Sequence, residues 1–250
     1  PCTGLFADVL CPSPFADWIE ALAVAQITAG CGGGAIDLVI HLHNLGFAQA
    51  VQWLCQSFPD SFQPEPQRLF PKATLAIPSS EPSKLWRVRQ YLIGERALPS
   101  TLVDPLIQSG ALYADTRANA VFLLLGKDNQ PVGAELRGTT TQRPWHGLAP
   151  GSQKDLGFFA IPACPLTVII LVESAIDAIS CFALYPQHRC ISTAGARPNP
   201  RWLAPLIAQG HLVYCGFDAD PTGEAMAHAM IALHPTVQRL RPPHHDWNDV

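Results

Sequence analysis

Two short apolar runs, each closing on acid, constrain this chain more than any other feature. The first is Thr167-Val168-Ile169-Ile170-Leu171-Val172, ending at Glu173. The second is His211-Leu212-Val213-Tyr214-Cys215-Gly216-Phe217, ending at Asp218-Ala219-Asp220. A β-branched, nearly unbroken apolar run of this length reads as a strand buried on both faces. Helix-patterned sequence follows each run at once, the alternation of a parallel α/β sheet. Such sheets bind ligands beyond the carboxyl ends of their strands, where Glu173, Asp218 and Asp220 would stand. Carboxylates gathered at one sheet edge repel one another unless neutralised. A hard divalent cation, Mg²⁺ or Mn²⁺, is the simplest neutraliser, since it takes oxygen ligands. In an extended strand end, residues i and i+2 point the same way, which suits Asp-x-Asp. A solitary Asp-x-Asp is more often a solvated turn. Here its position after a buried strand, matched by Glu173 after another, favours a site.

These residues also resemble a family. Leu171-Val172-Glu173-Ser174-Ala175-Ile176-Asp177-Ala178 is similar to the glutamate motif of TOPRIM domains, and Gly216-Phe217-Asp218-Ala219-Asp220-Pro221-Thr222-Gly223 to their Asp-x-Asp motif. Asp246-Trp247-Asn248-Asp249 resembles the tail motif of primase-like TOPRIM proteins of plasmids and other mobile elements. The resemblance implies Mg²⁺-dependent chemistry on nucleic-acid phosphodiesters. Glu173 would then be general acid/base and metal ligand, Asp218 and Asp220 metal ligands, and Asp177, Asp246 and Asp249 secondary acids. Asp177 equally suits a helix start, where an acid favours the macrodipole. The partners implied are single-stranded DNA and nucleotides, with a helicase or relaxase as protein partner.

Charge is unevenly spread. The chain of 250 residues carries net −4, which gives no global nucleic-acid footprint. Six acids and no Lys or Arg precede Arg68, so the remainder holds all sixteen basic residues against fourteen acids. Nucleic-acid contacts are therefore expected from the later part. Eight cysteines lack Cys-x-x-Cys spacing, the pattern of mostly reduced, buried thiols in a cytoplasmic protein. No basic segment leads into an apolar one, so no signal peptide is expected. No apolar run reaches the roughly 18 residues of a membrane span. The chain stops one residue after Asp249, which leaves a further C-terminal domain as an expectation.

From the N-terminus, Trp18 to Ala29 is a largely apolar stretch suited to a short helix. Gly30, Gly32 and Ala35 are spaced as a dinucleotide fingerprint, but no strand precedes them. Ala35 to Leu42 and Gly46 to Leu54 resemble the two helices closing the zinc-binding domain of bacterial primases. The zinc ligand set is missing: Cys2, Cys11 and Cys31 lack the paired spacing of a tetrahedral site. Residues 1–57 therefore read as a degenerate remnant, zinc is not expected, and His41 and His43 read as helix-surface residues. Residues 58–83 form a Pro-rich linker.

Residues 84–155 read as a small α+β subdomain. Trp86, Val88, Arg89 and Leu92 fall on a helical period ended by Gly94, and a second helix runs from Pro99-Ser100 to Gly110. Ala120–Leu125 and Pro131–Gly138 form a β-hairpin. Tyr91-Leu92 through Glu95-Arg96-Ala97-Leu98-Pro99 and this hairpin resemble the start of the primase catalytic core, which faces the TOPRIM sheet across a cleft. Arg137 and Lys154, with Arg197 at a later strand end, are the candidate phosphate contacts; Arg117, Arg143 and Lys127 are weaker ones. Ordinary solvated charge is the competing account.

Residues 156–250 form the TOPRIM segment: a mostly parallel sheet flanked by helices, with a helix at Ser174–Leu184 and a strand at Cys190–Thr193. A crossover helix follows at Pro200–Gly210, then a helix at Thr222–Leu233 with Ala225, Met226, Ala229, Met230 and Leu233 inward, and a last strand at Thr236–Leu240. The fold class is thus α/β. The leading expectation is a primase-like protein making primers in replication or transfer of a mobile element. A TOPRIM nuclease, or a non-catalytic nucleic-acid-binding accessory of replication or conjugation, are the alternatives; the near-neutral charge and missing zinc ligands favour the accessory.

Overall fold

The computed structural model describes residues 35–57, 74–142, 144–162 and 164–249. The expected helix at 18–29, the Gly30/Gly32 fingerprint, Cys2, Cys11, Cys31, residues 58–73 of the linker and Arg143 lie outside them. Two compact units are resolved, residues 1–69 and residues 70–250.

In the first unit, α1 (Ala35–His43) and α2 (Phe47–Ser57) form a helical hairpin. Asn44 takes positive φ at the turn, a conformation Asn tolerates, and the Gly46 amide donates to Gln49 Oε1 at 3.0 Å. Val39 and Ala50 are buried, while the exposed His43 ring lies 4.6 Å from Trp53.

The second unit is built on one nine-stranded sheet. Its described chain begins with residues 74–81, where the Ala76 amide donates to Pro150 O and the Glu81 amide to Ala114 O. Next come α3 (Leu85–Gln90) and α4 (Ser100–Gln108). Between them the chain does not stop at Gly94 but runs on as a π turn over Tyr91–Glu95. Val88 and Leu92 are buried as the period requires, whereas Trp86 and Arg89 face solvent, and Arg89 pairs there with Asp104.

The strands are β1 (Leu112–Ala114), β2 (Ala120–Gly126), β3 (Pro131–Arg137), β4 (His146–Leu148), β5 (Gly157–Ile161), β6 (Val168–Val172), β7 (Arg189–Ser192), β8 (Leu212–Cys215) and β9 (Gln238–Arg239). Their order is β4-β3-β2-β5-β7-β6-β8-β9, with β1 also on β2. The β2–β3 pair is the expected hairpin. β5 is antiparallel to both β2 and β7, and so joins the hairpin to a parallel sheet of β7, β6, β8 and β9. Crossovers are α5 (Ala175–Leu184), α6 (Leu203–Ala208) and α7 (Pro221–Leu233).

Strand β6 is buried on both faces, and its alternation divides the core. Ile170 and Val172 pack with α5, Trp247 and the α3–α4 layer. Ile169 and Leu171 pack with Leu203, Val213, Phe217, Ala227 and Met230. Each such side chain contributes about 1.5–3 kcal/mol on burial. The inward face of α7 differs from expectation: Gly223, Ala227 and Met230 are buried, while Ala225 and Leu233 are exposed. An Ala-rich helix has small residues all round, so its sequence does not mark the packed stripe. The last strand is only Gln238–Arg239. Cys181, Cys190 and Cys215 are buried free thiols, and Cys164 is exposed. Among the described residues no helix is long and apolar enough to cross a membrane.

Candidate functional site

Parallel pairing of Ile170 with Tyr214 and Leu171 with Cys215 brings the ends of β6 and β8 side by side. Glu173 then leans across, and its Oε1 accepts the Asp218 amide at 3.1 Å. Two residues on, Asp220 caps α7, with Oδ1 accepting the Gly223 amide at 2.7 Å. Its other oxygen faces His245 Nε2 at 3.9 Å. Gly223 is required here by close approach: a Cβ would collide with the carbonyl oxygen of Asp218. The first helical turn therefore sits directly on the Asp-x-Asp loop.

The electrostatics are those of crowded acids. Burial, then the charges of Asp177, Glu173, Asp246 and Asp220, push the Asp218 carboxyl up to about 8. Its Oδ1 is shut off from solvent without a hydrogen-bond partner, an arrangement that calls for a ligand. Burial also raises Glu173, opposed by the Asp218 amide and reinforced by Asp220. Asp177, buried in the first turn of α5, is raised to about 6 by burial, with the Ser174 hydroxyl opposing. Ser174 is the cap of that helix, and its Oγ donates to Asp177 Oδ2 at 2.6 Å.

The tail is anchored by its apolar and amide residues. Trp247 is buried and donates Nε1–H to Gly216 O at 2.6 Å. Asn248 accepts from Arg96 and donates to Arg96 O and Ser180 Oγ. Asp246 folds back on its own turn, its Oδ1 accepting the Asn248 and Asp249 amides at 2.8 and 2.9 Å. Its charge nevertheless reaches Asp177 and Asp218. Among the described residues, His245, Asp246 and Asp249 have ligand atoms already within 4.8 Å of one another. Two of these are exposed, whereas Glu173, Asp218 and Asp220 are all half-buried and Asp218 adds an orphaned buried oxygen, which makes them the better fit for a hard cation.

The candidate phosphate contacts separate into two groups. Arg137 on β3 donates from Nε to Tyr91 Oη at 3.2 Å, and Arg96 donates to the same oxygen at 2.8 Å. Lys154 Nζ donates to Ala194 O at 3.0 Å. Arg197 is held back against the segment before β5, donating to Lys154 O and pairing with Asp155. Arg117 and Lys127 are exposed.

Sequence reasoning missed Glu135. On β3 it reads as an ordinary outward acid. The fold brings it to the start of α5, where Oε2 accepts the Ala175 amide at 3.0 Å and Oε1 is buried without a partner. Burial, only partly offset by Ser192 and the Ala175 amide, pushes its carboxyl up to about 7. Arg239 was also missed; its guanidinium lies beneath the Asp-x-Asp loop. Neither role leaves a local signal in sequence. A cavity of about 600 Å³, lined by Ile77, Leu85, Ile107, Leu112 and Tyr113 among others, includes none of the acids.

Comparison with known proteins gives two adjoining family matches. Residues 90–161 match a family described as a protein of unknown function (DUF3991), and residues 170–250 match a Toprim-like family. The chain is 27% identical over 252 residues to the 65 kDa protein of Zymomonas mobilis subsp. mobilis, covering 88% of this chain and 42% of that protein. It thus spans about two fifths of that relative. Among solved structures, the primase fragment of the bacteriophage T7 primase-helicase protein is 13% identical with TM-score 0.49, covering 62% of this chain and 66% of that one. The Aquifex aeolicus primase (zinc-binding and RNA polymerase domains) is 16% identical with TM-score 0.45, covering 88% and 67%. Glu173 at the end of β6 and Asp218 and Asp220 after β8 all fall inside the second matched segment, and the chain therefore carries a Toprim-like domain over residues 170–250.

Proposed function

We propose that this protein acts on nucleic-acid phosphodiesters with Mg²⁺ or Mn²⁺, as a primase-like nucleotidyltransferase serving replication or transfer of a mobile element. One observation carries the reading: Glu173, Asp218 and Asp220 stand just beyond the ends of two adjacent parallel strands, with Asp218 Oδ1 buried and unpartnered. Hard oxygen donors of this kind suit Mg²⁺. Bound there, the ion would neutralise charge on a phosphate undergoing displacement.

The chain's own residues divide the remaining work. Glu173 keeps Oε2 free of the Asp218 amide, and that oxygen is the group able to take or return a proton. Asp177, Asp246 and Asp249 add negative potential behind the ion. Arg137 and Lys154 present cationic groups to phosphates of single-stranded DNA or nucleotide, with Arg197 as a further contact. Residues 84–155 serve as the nucleic-acid-facing subdomain and 156–250 as the ion-bearing one. Zinc has no place in this scheme; a helicase or relaxase is the protein partner.

Calorimetric titration of Mg²⁺ and Mn²⁺ into wild type and an Asp218→Asn/Asp220→Asn double variant tests the ion. Nucleotides supplied with single-stranded DNA then test the product. Ion binding lost in the variant, together with new oligonucleotides from wild type, is the expected result. Cleaved DNA would identify a nuclease. DNA binding without products would identify an accessory protein. A folded wild type that binds no ion would make the acids structural and end the proposal.

A further inference from the structure

The loop bearing Asp218 and Asp220 is fixed by contacts on several sides. Trp247 holds Gly216 O, the Ala219 amide donates to His245 O, and Glu173 takes the Asp218 amide. The carbonyl of Asp218 is held differently. Arg239, on the short edge strand β9, reaches back beneath the loop. Its Nη2 donates to Asp218 O at 3.3 Å, and its Nη1 donates to Cys215 O and Leu240 O, each at 3.0 Å. The same Nη2 donates to Glu224 Oε1 at 2.7 Å, on the first turn of α7. Arg241 Nε also reaches Glu224 Oε1, at 3.0 Å. One guanidinium therefore ties the end of β8, the carbonyl of the first Asp-x-Asp acid and the helix capped by the second.

We infer that Arg239, braced by Glu224, is a positioning residue that sets the height of the Asp218–Asp220 loop and thereby the affinity for the divalent ion. The inference rests on the ion reading proposed above. The planar fork of arginine suits this task, since it can address several carbonyls in fixed directions. Its bonds go to backbone oxygens and to Glu224, not to the Asp218 or Asp220 carboxylates, so it leaves both acids available. Pressure from the other side is supplied by Gly223, whose missing Cβ lets α7 sit against the same Asp218 carbonyl. Groups that orient metal ligands without touching the metal typically change affinity by 10–100-fold when removed.

Charge and geometry act in opposite directions here, which makes the sign decisive. A cation beside an ion site repels the ion, so loss of charge alone would tighten binding. Loss of positioning would weaken it. Mn²⁺ binding is measured by the spin resonance of free Mn²⁺, and Mg²⁺ binding by calorimetry, on the full chain: wild type, Arg239→Met, Arg239→Lys and Glu224→Gln. The expected result is a loss of about 10-fold or more in Arg239→Met. A smaller loss is expected in Glu224→Gln, with partial recovery in Arg239→Lys and circular dichroism unchanged. A folded Arg239→Met protein that binds as wild type, or tighter, overturns the inference. Should Arg239→Met fail to fold, Arg239→Lys decides, because it keeps the charge and loses the planar fork, and wild-type affinity there overturns the inference equally. A wild type that binds no ion overturns the ion reading itself; a wild type that binds, with variants unaffected, overturns only the role of Arg239.

Discussion

Glu135→Gln should stabilise the protein at alkaline pH and leave it nearly unchanged at acid pH. The carboxyl titrates ordinarily near 4.5 and is pushed up to about 7, chiefly by burial. An acid whose folded value is raised favours folding while protonated. That contribution is complete below the unfolded value and is lost as pH rises through the folded one. The difference, at 1.36 kcal/mol per unit, is about 3 kcal/mol between pH 4 and pH 8, taken as an upper figure. Glutamine keeps an acceptor for the Ala175 amide now bonded to Oε2 at 3.0 Å and removes only the titration. Urea unfolding of both proteins at pH 4 and pH 8, in chelator, reads the effect, with buried Trp247 as fluorescent reporter. Wild type should lose up to about 3 kcal/mol more than the variant over that range. Equal losses in the two proteins would refute the argument and place Glu135 in a solvated or ion-paired setting.

Three further expectations concern the loop at the strand ends. Asp218→Asn should abolish divalent-ion binding yet raise the ion-free Tm at pH 7 by a few degrees. The folded carboxyl is raised to about 8, so its stabilising effect is already falling as pH climbs from 3.8, and scanning calorimetry should show the two proteins converging near pH 4. Gly223→Ala drives a methyl against the Asp218 carbonyl and should cost about 1–3 kcal/mol by overpacking, measured by urea unfolding. Trp247→Phe removes the 2.6 Å donor to Gly216 O inside the core; chemical denaturation should show a loss of about 1–3 kcal/mol from the unsatisfied carbonyl.

The strands carrying the acids were legible because both runs are short and apolar; β6 is buried on both faces as that pattern implies, whereas β8 buries Val213 and Cys215 and leaves Leu212 exposed. Glu173, Asp218 and Asp220 were legible through their position at the ends of those strands. What escaped was contact across the sheet. Glu135 meets Ala175 forty positions later, and nothing in Pro131–Arg137 distinguishes it from a solvent-facing acid. Arg239 reads as one of several late basic residues until β9 pairs with β8. The buried stripe of α7 escaped for another reason. Ala225, Ala227 and Ala229 are identical in sequence, and only the tertiary environment selects Ala227. The carry-over of α3 into a π turn was hidden as well, because Gly94 has the appearance of a helix stop.

One consequence follows from β5. Because it pairs with β2 on one side and β7 on the other, a ladder of strand pairing, shifted in register at Leu124/Leu125, runs from Arg137 on β3 to the strands β6 and β8 that lead to the acids. The hairpin and the acid-bearing edge cannot swing apart without breaking that ladder. The nine strands therefore behave as one plate, and the separation between Arg137 and the acids is fixed by strand pairing rather than by a hinge.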